Sequence, residues 1–290
     1  MKIPTKKLKS GFEMPIFGIG TWMMGGDVNH DPKNDDEADI KAIKSAIDFG
    51  ITHIDTAEKY AQGYAEKLVA KAIKEYDRSK LFIVSKADKL NFKYDNLLRS
   101  CENSLKRLEA DYLDLYLLHA PSLEIPIKET MKAMDKLKDE GLIKNIGISN
   151  FTVKRTKEAQ AATQNQVVAN QLHLNLIYRE PERDGLIKYC QENDMMFIAW
   201  RPVQKGDLTK KSKHKILDEM CEKYQKTPAQ VAINWLVSQE NIVTLSKMRN
   251  LKHLKENLKA LDWQMEKKDI EKLYKEFPNQ INVSDAVPLI

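Results

Sequence analysis

The sequence predicts an α/β protein whose single domain, residues 1–290, is a closed (β/α)8 barrel. Short runs of β-branched and aromatic residues alternate with longer stretches of helical spacing, which is typical of repeated βα units. Most of these runs lie about 30 residues apart, the length of one βαβ unit. Because no stretch rich in Pro, Gly or Ser divides the chain in two, one closed barrel is favoured over two open sheets.

Eight strands are predicted. In chain order they are Phe17–Gly20, Ile51–Asp55, Leu81–Ser85, Tyr112–Leu118, Ile143–Ile148, Val167–Gln171, Met196–Trp200 and Ile242–Leu245. Several of them consist almost entirely of apolar residues, which is expected of parallel strands that are buried on both faces. The weak alternation therefore favours a sheet that is covered by helices.

Three segments between strands carry apolar residues at helical spacing, which predicts helices that pack on the sheet. Their apolar faces are formed by Ile40, Ala42, Ile43 and Ile47, by Leu97, Leu98, Cys101, Leu105 and Leu108, and by Met131, Met134 and Leu137. Gly50 and Gly141 follow the first and third faces, where a left-handed residue commonly ends a helix. We interpret the methionines as core residues.

The composition excludes several classes of protein. Of the 290 residues, 42% are hydrophobic and 31% are charged, which excludes collagen-like, low-complexity and disordered chains. Met1–Pro15 does not resemble a signal peptide, and no apolar run approaches the roughly 18 residues of a membrane span. The three cysteines, Cys101, Cys190 and Cys221, are too few for a disulfide scaffold. We therefore expect a cytoplasmic protein.

Candidate catalytic residues follow three consecutive strands, because catalytic groups of such a barrel lie where its strands end. Asp55 ends the second strand and Tyr60 lies in the loop beyond it, while Lys86 and His119 follow the third and fourth strands. Taken singly, each has a structural interpretation as a cap, a half-buried ring, a surface amine or a core histidine. Four different titratable groups at one mouth favour a catalytic site.

The motifs around these positions resemble those of the aldo-keto reductases, a family of eight-stranded α/β barrels that use NAD(P)H. The matching stretches are Gly18–Trp22, Ile54–Ala57 with Tyr60, Gly63–Glu66, Ser85–Lys86, Ser104–Leu108, Asp111–His119 and Gly147–Phe151. The resemblance covers nearly the whole chain. It implies that Asp55, Tyr60, Lys86 and His119 form a catalytic tetrad for carbonyl reduction.

The chemistry explains why these residue types are needed. Hydride transfer to a carbonyl leaves an alkoxide, so an acid must deliver a proton to the oxygen. A free phenol, with a pKa of about 10, is a poor donor near neutral pH. We expect the Lys86 ammonium to lower the pKa of Tyr60, and Asp55 to keep Lys86 charged. His119 is expected to orient the substrate oxygen.

The resemblance also implies a cofactor site that takes NADPH, with NADH as the open alternative. Its implied residues are Gly20, Thr21, Trp22, Ser149, Asn150, Gln171, Trp200, Arg201, Lys247, Arg249, His253, Glu256 and Asn257. The amide-binding positions are Ser149, Asn150 and Gln171. Trp200 stands where the family usually has a tyrosine stacked on the nicotinamide, and its other interpretation is a buried barrel residue.

The phosphate and adenosine contacts depart from the family pattern at two positions. Arg201 replaces a small residue, so it either contacts a phosphate, favours acidic substrates or forms a surface salt bridge. His253 stands where many NADPH-preferring members have an arginine, so the 2′-phosphate contact is expected from Lys247 and Arg249. Glu256 and Asn257 are expected to bind the adenine.

The positive charge of the chain is concentrated near these segments. The net charge is +5, and residues 204–260 alone contain 12 basic and 6 acidic residues. A dianionic dinucleotide explains this distribution better than nucleic acid or a membrane surface does.

The expected substrate is a small aldehyde or ketone. Trp22, Tyr60 and His119 are expected to line its pocket, with Met23 or Met24 as a further apolar wall. The tail, Pro278–Ile290, is short, which favours an open pocket. A monomer is expected.

Other chemistries are less consistent with the sequence. Gly18-Ile-Gly20 begins like a dinucleotide fingerprint but lacks the third glycine and the following helix. The six histidines show no metal-ligand spacing, so no metal is expected, and there is no nucleophile elbow. Two alternatives stay open: a nicotinamide-binding regulatory subunit of the same fold, and a lyase or isomerase that uses Lys86 as a Schiff-base amine.

Overall fold

The computed structural model describes residues 2–211, 214–278, 283–287 and 289. A two-stranded antiparallel hairpin precedes a closed barrel of eight parallel strands. The hairpin strands are β1, Thr5–Lys7, and β2, Glu13–Pro15; the barrel strands are β3, Phe17–Gly20; β4, His53–Asp55; β5, Phe82–Ala87; β6, Leu115–Leu118; β7, Ile146–Ser149; β8, Val167–His173; β9, Met196–Trp200; and β10, Ile242–Ser246. Each barrel strand pairs with the next, and β10 pairs with β3. The predicted (β/α)8 barrel is confirmed.

Helices surround the barrel. They are α1, Asp36–Asp48; α2, Tyr64–Ile73; α3, Tyr94–Leu108; α4, Ile127–Asp139; α5, Val153–Ala161; α6, Glu180–Arg183; α7, Leu186–Glu192; α8, Lys215–Tyr224; α9, Pro228–Val237; α10, Leu251–Leu258; and α11, Lys267–Glu276. The helix α1 begins where the Asp35 carboxylate accepts a hydrogen bond from Ala38 N, a typical N-cap. The three predicted helices correspond to α1, α3 and α4, and Gly50 and Gly141 have the expected positive φ angles.

The hairpin closes the end of the barrel at which the strands begin, and the sequence did not indicate it. Phe12 lies in its turn and packs edge-on against Phe82 at the start of β5, with ring centroids 6.1 Å apart. Lys6 Nζ donates to Val237 O (2.8 Å) and Ile242 O (2.6 Å), at the end of α9 and the start of β10. The opposite end of the barrel, where the strands finish, is left for the site.

The inside of the barrel contains a buried histidine directly below the strand ends. His53 and Asp55 are two residues apart on β4, so their side chains point to the same face. Gly18 on β3 faces the His53 ring so closely that a Cβ atom at Gly18 would lie 2.4 Å from His53 Nδ1. The absence of a side chain at Gly18 thus makes room for the imidazole.

Two expectations about the ends and surface of the chain can be compared with the described residues. Of the predicted tail, Pro278–Ile290, residues 279–282, 288 and 290 lie outside the described residues. Across the described ranges, no helix is both long enough and apolar enough to cross a membrane.

Candidate active site

Three of the four candidate catalytic residues form one hydrogen-bonded chain at the ends of β4 and β5. Lys86 Nζ donates to Asp55 Oδ1 (2.5 Å), to Thr56 O (2.8 Å) and to Tyr60 Oη (3.1 Å). The Lys86 side chain is fully buried and that of Asp55 is 2% exposed. A buried ammonium thus lies between a carboxylate and a phenol.

An unusual backbone conformation holds Tyr60 in place. The three residues that follow it, Ala61, Gln62 and Gly63, have φ angles of 49°, 55° and 82°. The backbone N–H of Ala61 donates to Asp27 O (2.8 Å). Left-handed conformations at residues other than glycine cost about 1–3 kcal/mol each and are often found at active sites. The turn sends the chain into α2 directly after Tyr60.

Lys86 is supported from outside the barrel by a buried ionic network. Its neighbour Ser85 points outward and donates to Glu66 Oε1 on α2 (2.6 Å), and Arg107 Nε on α3 donates to Glu66 Oε2 (2.6 Å). Gly63 packs on the same guanidinium, since a Cβ atom there would lie 2.5 Å from Arg107 Nε. These residues lie in the stretches that carry the family resemblance, and this network connects β5 to α2 and α3.

The pKa of Tyr60 is shifted in the direction opposite to the one that the sequence predicted. Burial raises the pKa of Tyr60 above its ordinary value of 10, and the nearby Lys86 charge offsets this only in part. The expected net lowering of the Tyr60 pKa is therefore wrong. Burial opposes the charge on Lys86, but Asp55 and Tyr60 outweigh it and raise the pKa of Lys86. Near neutral pH Lys86 is therefore an ammonium and Tyr60 a neutral phenol.

His119 and Trp22 flank the Tyr60 ring at the mouth of the barrel. The ring centroids lie 5.6 Å from Tyr60 for His119 and 4.9 Å for Trp22, both edge-on. Burial, followed by the charges of Lys86 and Lys59, holds the pKa of His119 well below 6.5. His119 Nδ1 is buried without a hydrogen-bond partner among the described residues. The imidazole is therefore neutral and lies beside the phenol.

The two methionines that follow Trp22 occupy different environments. Met24 is fully buried in the main hydrophobic core, so the expectation that it lines the pocket is wrong. Met23 is 46% exposed and has a φ angle of 64°. Its backbone turns sharply, which places Met23 on the surface and returns the chain to the core at Met24.

The candidate amide-binding residues form a second polar cluster at the ends of β7 and β8. Gln171 Nε2 donates to Asp55 Oδ2 (2.7 Å), which connects this cluster to the chain of Asp55, Lys86 and Tyr60. Ser149 Oγ donates to Gln171 O (2.8 Å), and Asn150 Nδ2 donates to Ser149 Oγ and to His119 O, both at 2.9 Å. Asn150 Oδ1 is buried and lacks a partner among the described residues. A carboxamide N–H of a ligand would satisfy this acceptor.

Trp200 at the end of β9 is part of an aromatic stack. The His173 ring lies parallel between Trp200 (4.3 Å between centroids) and Tyr178 (4.1 Å). His173 Nε2 donates to Gln204 Oε1 (2.8 Å), and Ser284 Oγ donates to His173 Nδ1 (3.0 Å). Sequence reasoning did not identify His173, because its position two residues after Gln171 resembles an ordinary strand residue. The stack fixes the plane of the indole, which is half-buried.

Of the three interpretations of Arg201, the structure contains the salt bridge. Arg201 Nη1 donates to Asp285 Oδ1 (2.6 Å), and Lys205 Nζ donates to Asp285 Oδ2 (2.8 Å). Both cations lie in the segment after β9, so one carboxylate joins that segment to residues 283–287.

The residues predicted for the adenosine end follow β10 or lie on α10. Lys247, Arg249 and His253 are exposed, Glu256 is half-buried and Asn257 is buried. Arg249 binds the buried carboxylate of Asp39, a residue that sequence reasoning missed because an acidic residue in a first helical turn has an ordinary explanation. Glu256 Oε1 accepts a hydrogen bond from Thr227 Oγ1 (2.8 Å).

The predicted Gly20 and Thr21 lie where β3 ends. Thr21 is buried, and its N–H and Oγ1 both donate to Asp55 O at 3.0 Å. A Cβ atom at Gly20 would lie 2.8 Å from Leu245 Cδ1. Thr21 therefore holds the backbone at Asp55, and the absence of a side chain at Gly20 makes room for Leu245.

Comparison with known proteins agrees with this geometry. The model of the aldo/keto reductase family matches residues 17–275. Methylglyoxal reductase YeaE of Escherichia coli (strain K12) is 33% identical over 268 residues, covering 91% of this chain and 92% of that protein. The chain belongs to the aldo/keto reductase family.

Two solved structures show the same architecture. The thermostable aldo-keto reductase Tm1743, in complex with the inhibitor epalrestat, superposes with a TM-score of 0.90 at 41% identity, covering 94% of this chain and 99% of that one. The aldo-keto reductase from Klebsiella pneumoniae in complex with NADPH superposes with a TM-score of 0.84 at 31% identity, covering 98% of both chains.

Proposed function

We propose that the protein reduces small aldehydes and ketones to alcohols with NADPH, and that Tyr60 is the general acid. The observation that carries the proposal is the buried chain from Asp55 through Lys86 to Tyr60. A neutral phenol that touches an ammonium can release its proton as charge develops on a substrate oxygen. The phenolate that remains is then stabilised by an ion pair with Lys86.

Each member of the chain has a separate part in moving this proton. Tyr60 Oη donates its proton to the carbonyl oxygen, and Lys86 Nζ, 3.1 Å away, stabilises the resulting phenolate. Asp55 balances the charge of Lys86 in the buried site and keeps the ammonium in position. His119 is neutral, so its N–H can hydrogen-bond the carbonyl oxygen without adding positive charge that would oppose protonation of Tyr60.

The proposed cofactor site uses the polar cluster beside this chain. Bound NADPH would supply the hydride. Ser149, Asn150 and Gln171 would bind the nicotinamide carboxamide, which is supported by the buried, unpartnered Asn150 Oδ1. The indole of Trp200, held by His173, would stack on the nicotinamide ring. The NADPH complex of the Klebsiella pneumoniae relative supports the choice of NADPH over NADH.

The proposed substrates are small carbonyl compounds, with α-oxoaldehydes such as methylglyoxal to be tested first. The name of the Escherichia coli relative supports this class. The rings of Trp22, Tyr60 and His119 supply an apolar edge next to one proton donor. This combination suits a compact carbonyl group with a short side chain.

The test measures NADPH oxidation in the presence of methylglyoxal and a panel of other aldehydes, ketones and sugars. The reaction is monitored through the loss of NADPH absorbance. Tyr60→Phe is expected to lower kcat by about 10²–10⁴-fold, the usual contribution of a positioned acid. NADPH binding, measured by quenching of tryptophan fluorescence, is expected to stay the same. Tyr116→Phe is the matched control, because Tyr116 is also a buried tyrosine but its hydroxyl contacts Ser100 outside the barrel.

The outcomes separate the alternatives. A Tyr60→Phe variant that retains most of its turnover would exclude the proposed acid. If wild-type protein binds NADPH but reduces no carbonyl compound, the regulatory-subunit alternative replaces the enzyme. Trapping of a carbonyl substrate on Lys86 by borohydride would instead favour Schiff-base chemistry.

We further propose that the enzyme acts as a monomer in the cytoplasm. Cys101, Cys190 and Cys221 are buried free thiols, which supports a reducing compartment. Light scattering coupled to size-exclusion chromatography tests the monomer, and a dimeric mass would exclude it.

A further inference from the structure

A fully buried carboxylate joins the segment after β10 to the loop after β3. Asp39 on α1 is 0% exposed. Its Oδ2 accepts hydrogen bonds from Gly25 N (3.1 Å), Asn34 Nδ2 (2.8 Å) and Arg249 Nη2 (2.7 Å). Its Oδ1 accepts from Arg249 Nε. The pairing is bidentate, the geometry in which an arginine is held most firmly to a carboxylate.

The same guanidinium also binds the loop directly. Arg249 Nη2 donates to Met23 O and to Asn34 Oδ1, both at 3.0 Å. Asn34 in turn donates to Asp39, so Asn34, Asp39 and Arg249 form a closed ring of hydrogen bonds. Two of the three nitrogens of this side chain are thereby committed to contacts within the protein.

The contact at Met23 lies next to the proposed substrate pocket. Met23 immediately follows Trp22, the ring that packs 4.9 Å from Tyr60. Met23 has a left-handed backbone conformation, and its carbonyl oxygen accepts the hydrogen bond from Arg249. The next residue, Met24, donates its N–H to Thr21 O (2.9 Å). A shift of Arg249 would therefore move the backbone of Met23, the residue that follows Trp22.

We propose that Arg249 is a positioning residue, and that the Asp39–Arg249 pair holds Trp22 against Tyr60 from the segment that follows β10. The inference rests on the proposed function and assigns Arg249 a role different from the 2′-phosphate contact expected from the sequence. Lys247 is then left as the phosphate ligand of this segment. The Asp39–Arg249 ion pair thereby connects the substrate wall to the cofactor segment.

The kinetic test compares two nucleotides. Arg249→Met is expected to raise the KM for the carbonyl substrate about tenfold to a hundredfold, the scale of small misplacements in an active site. The rise is expected to be the same with NADPH and with NADH, since the pair acts on Trp22. Asp39→Asn is expected to give the same pattern, and Arg249→Lys an intermediate one, because an ammonium keeps the charge but loses the bidentate fork.

A phosphate contact would give a different result. If Arg249→Met weakens NADPH binding, leaves NADH binding unchanged and does not alter the carbonyl KM, the positioning role is excluded. A carbonyl KM that changes in Arg249→Met but not in Asp39→Asn also excludes it, because the carboxylate must then be irrelevant.

Hydrogen exchange gives a readout that requires no turnover. Amide exchange at residues 22–34 is expected to accelerate in Arg249→Met and Asp39→Asn, because the loop loses its contacts. Unchanged exchange in both variants overturns the proposal even if the protein proves inactive. If wild-type protein reduces no carbonyl compound, the proposed function fails by itself, and the exchange result still decides whether the pair holds the loop.

The chain offers a matched control at the other end of the barrel. Arg78 Nη2 lies 2.8 Å from Asp114 Oδ2, and Asp114 also accepts a hydrogen bond from Ile83 N (2.9 Å). Arg78→Met removes a comparable arginine–aspartate pair far from the strand ends. It is expected to leave the carbonyl KM unchanged; an equal rise there would show that any lost ion pair has this effect and would overturn the proposal.

Discussion

His53 inside the barrel is predicted to make the protein unstable in acid. Its ring is fully buried below Asp55, and neither ring nitrogen has a hydrogen-bond partner among the described residues. Burial lowers the pKa of His53 from 6.5 to about 4; the Lys86 charge acts in the same direction, and Asp55 opposes it. In the folded protein the imidazole therefore stays neutral down to about pH 4. In the unfolded chain it binds a proton near its ordinary pKa of 6.5.

The size and sign of the effect follow from this difference in pKa. Between pH 6.5 and about 4, the unfolded chain binds a proton that the folded chain does not, so stability falls as the pH falls. For one group with these two pKa values, the free energy of unfolding drops by about 3 kcal/mol between about pH 7 and pH 4. That loss is a large part of the roughly 5–15 kcal/mol that stabilises a typical domain.

Urea unfolding of wild-type protein and His53→Leu at both pH values measures this contribution. Leucine has a similar volume and does not titrate, so the acid-induced loss is expected to be smaller in His53→Leu by about 3 kcal/mol. Equal losses in the two proteins would refute the reasoning. Should His53→Leu fail to fold, the ring resonances of wild-type His53 decide the matter, since protonation above pH 5 contradicts a pKa of about 4.

Two further predictions concern the contact between Gly18 and His53 and the proposed role of Tyr60. Gly18→Ala places a Cβ atom 2.4 Å from His53 Nδ1 and is expected to destabilise the protein by about 1–3 kcal/mol. Adding His53→Ala removes the ring and is expected to relieve part of this loss. If the free energies of unfolding in urea are strictly additive in the double variant, the two residues do not interact. Carbonyl reduction at saturating NADPH is expected to stay constant through neutral pH and to fall only as the pH rises past the ordinary tyrosine value of 10, because Tyr60 must be protonated and burial raises its pKa. A decline centred near neutral pH would indicate a different acid.

The barrel was predictable because its strands are buried on both faces and so appear as apolar runs. The bounds were less accurate where a polar side chain interrupts the pattern. The fourth strand was predicted to begin at Tyr112, but β6 begins at Leu115. Asp114, just before it, turns its carboxylate to Ile83 N, Arg78 and Lys144. Such contacts between segments distant in the chain cannot be deduced from local spacing.

The hairpin of β1 and β2 was missed because its strands are only three residues long and two of the three residues of β1 are lysines. Ser10-Gly11 at its turn was the available signal, since Gly11 adopts a φ angle of 97°. What stabilises the hairpin is its contact with the barrel, through Phe12 and Lys6. A hairpin that depends on tertiary packing shows little strand pattern in its local sequence.

The candidate catalytic residues were predicted from residue type and position, but their protonation depends on burial. The sequence places a lysine near Tyr60 and so indicates a lowered pKa. The structure adds the removal of water from the phenol, which outweighs the neighbouring charge and raises the pKa. The sequence thus predicted that Lys86 and Tyr60 lie close together at the strand ends. The direction of the Tyr60 pKa shift depends on the balance between burial and the Lys86 charge, which only the structure gives.

The basic excess of residues 204–260 likewise shows that a count of charges in the sequence does not give the charge that is free to attract a ligand. Several of its cations are paired with carboxylates from outside that region. These pairs are Arg249–Asp39, Lys205–Asp285 and Lys223–Asp269. The field available to a ligand is therefore weaker than the count of charges suggests. Lys247 differs, because the partial removal of water around its amine, followed by the charge of Arg249, lowers its pKa. A bound phosphate group would oppose that repulsion, so we expect it to raise the pKa of Lys247 again.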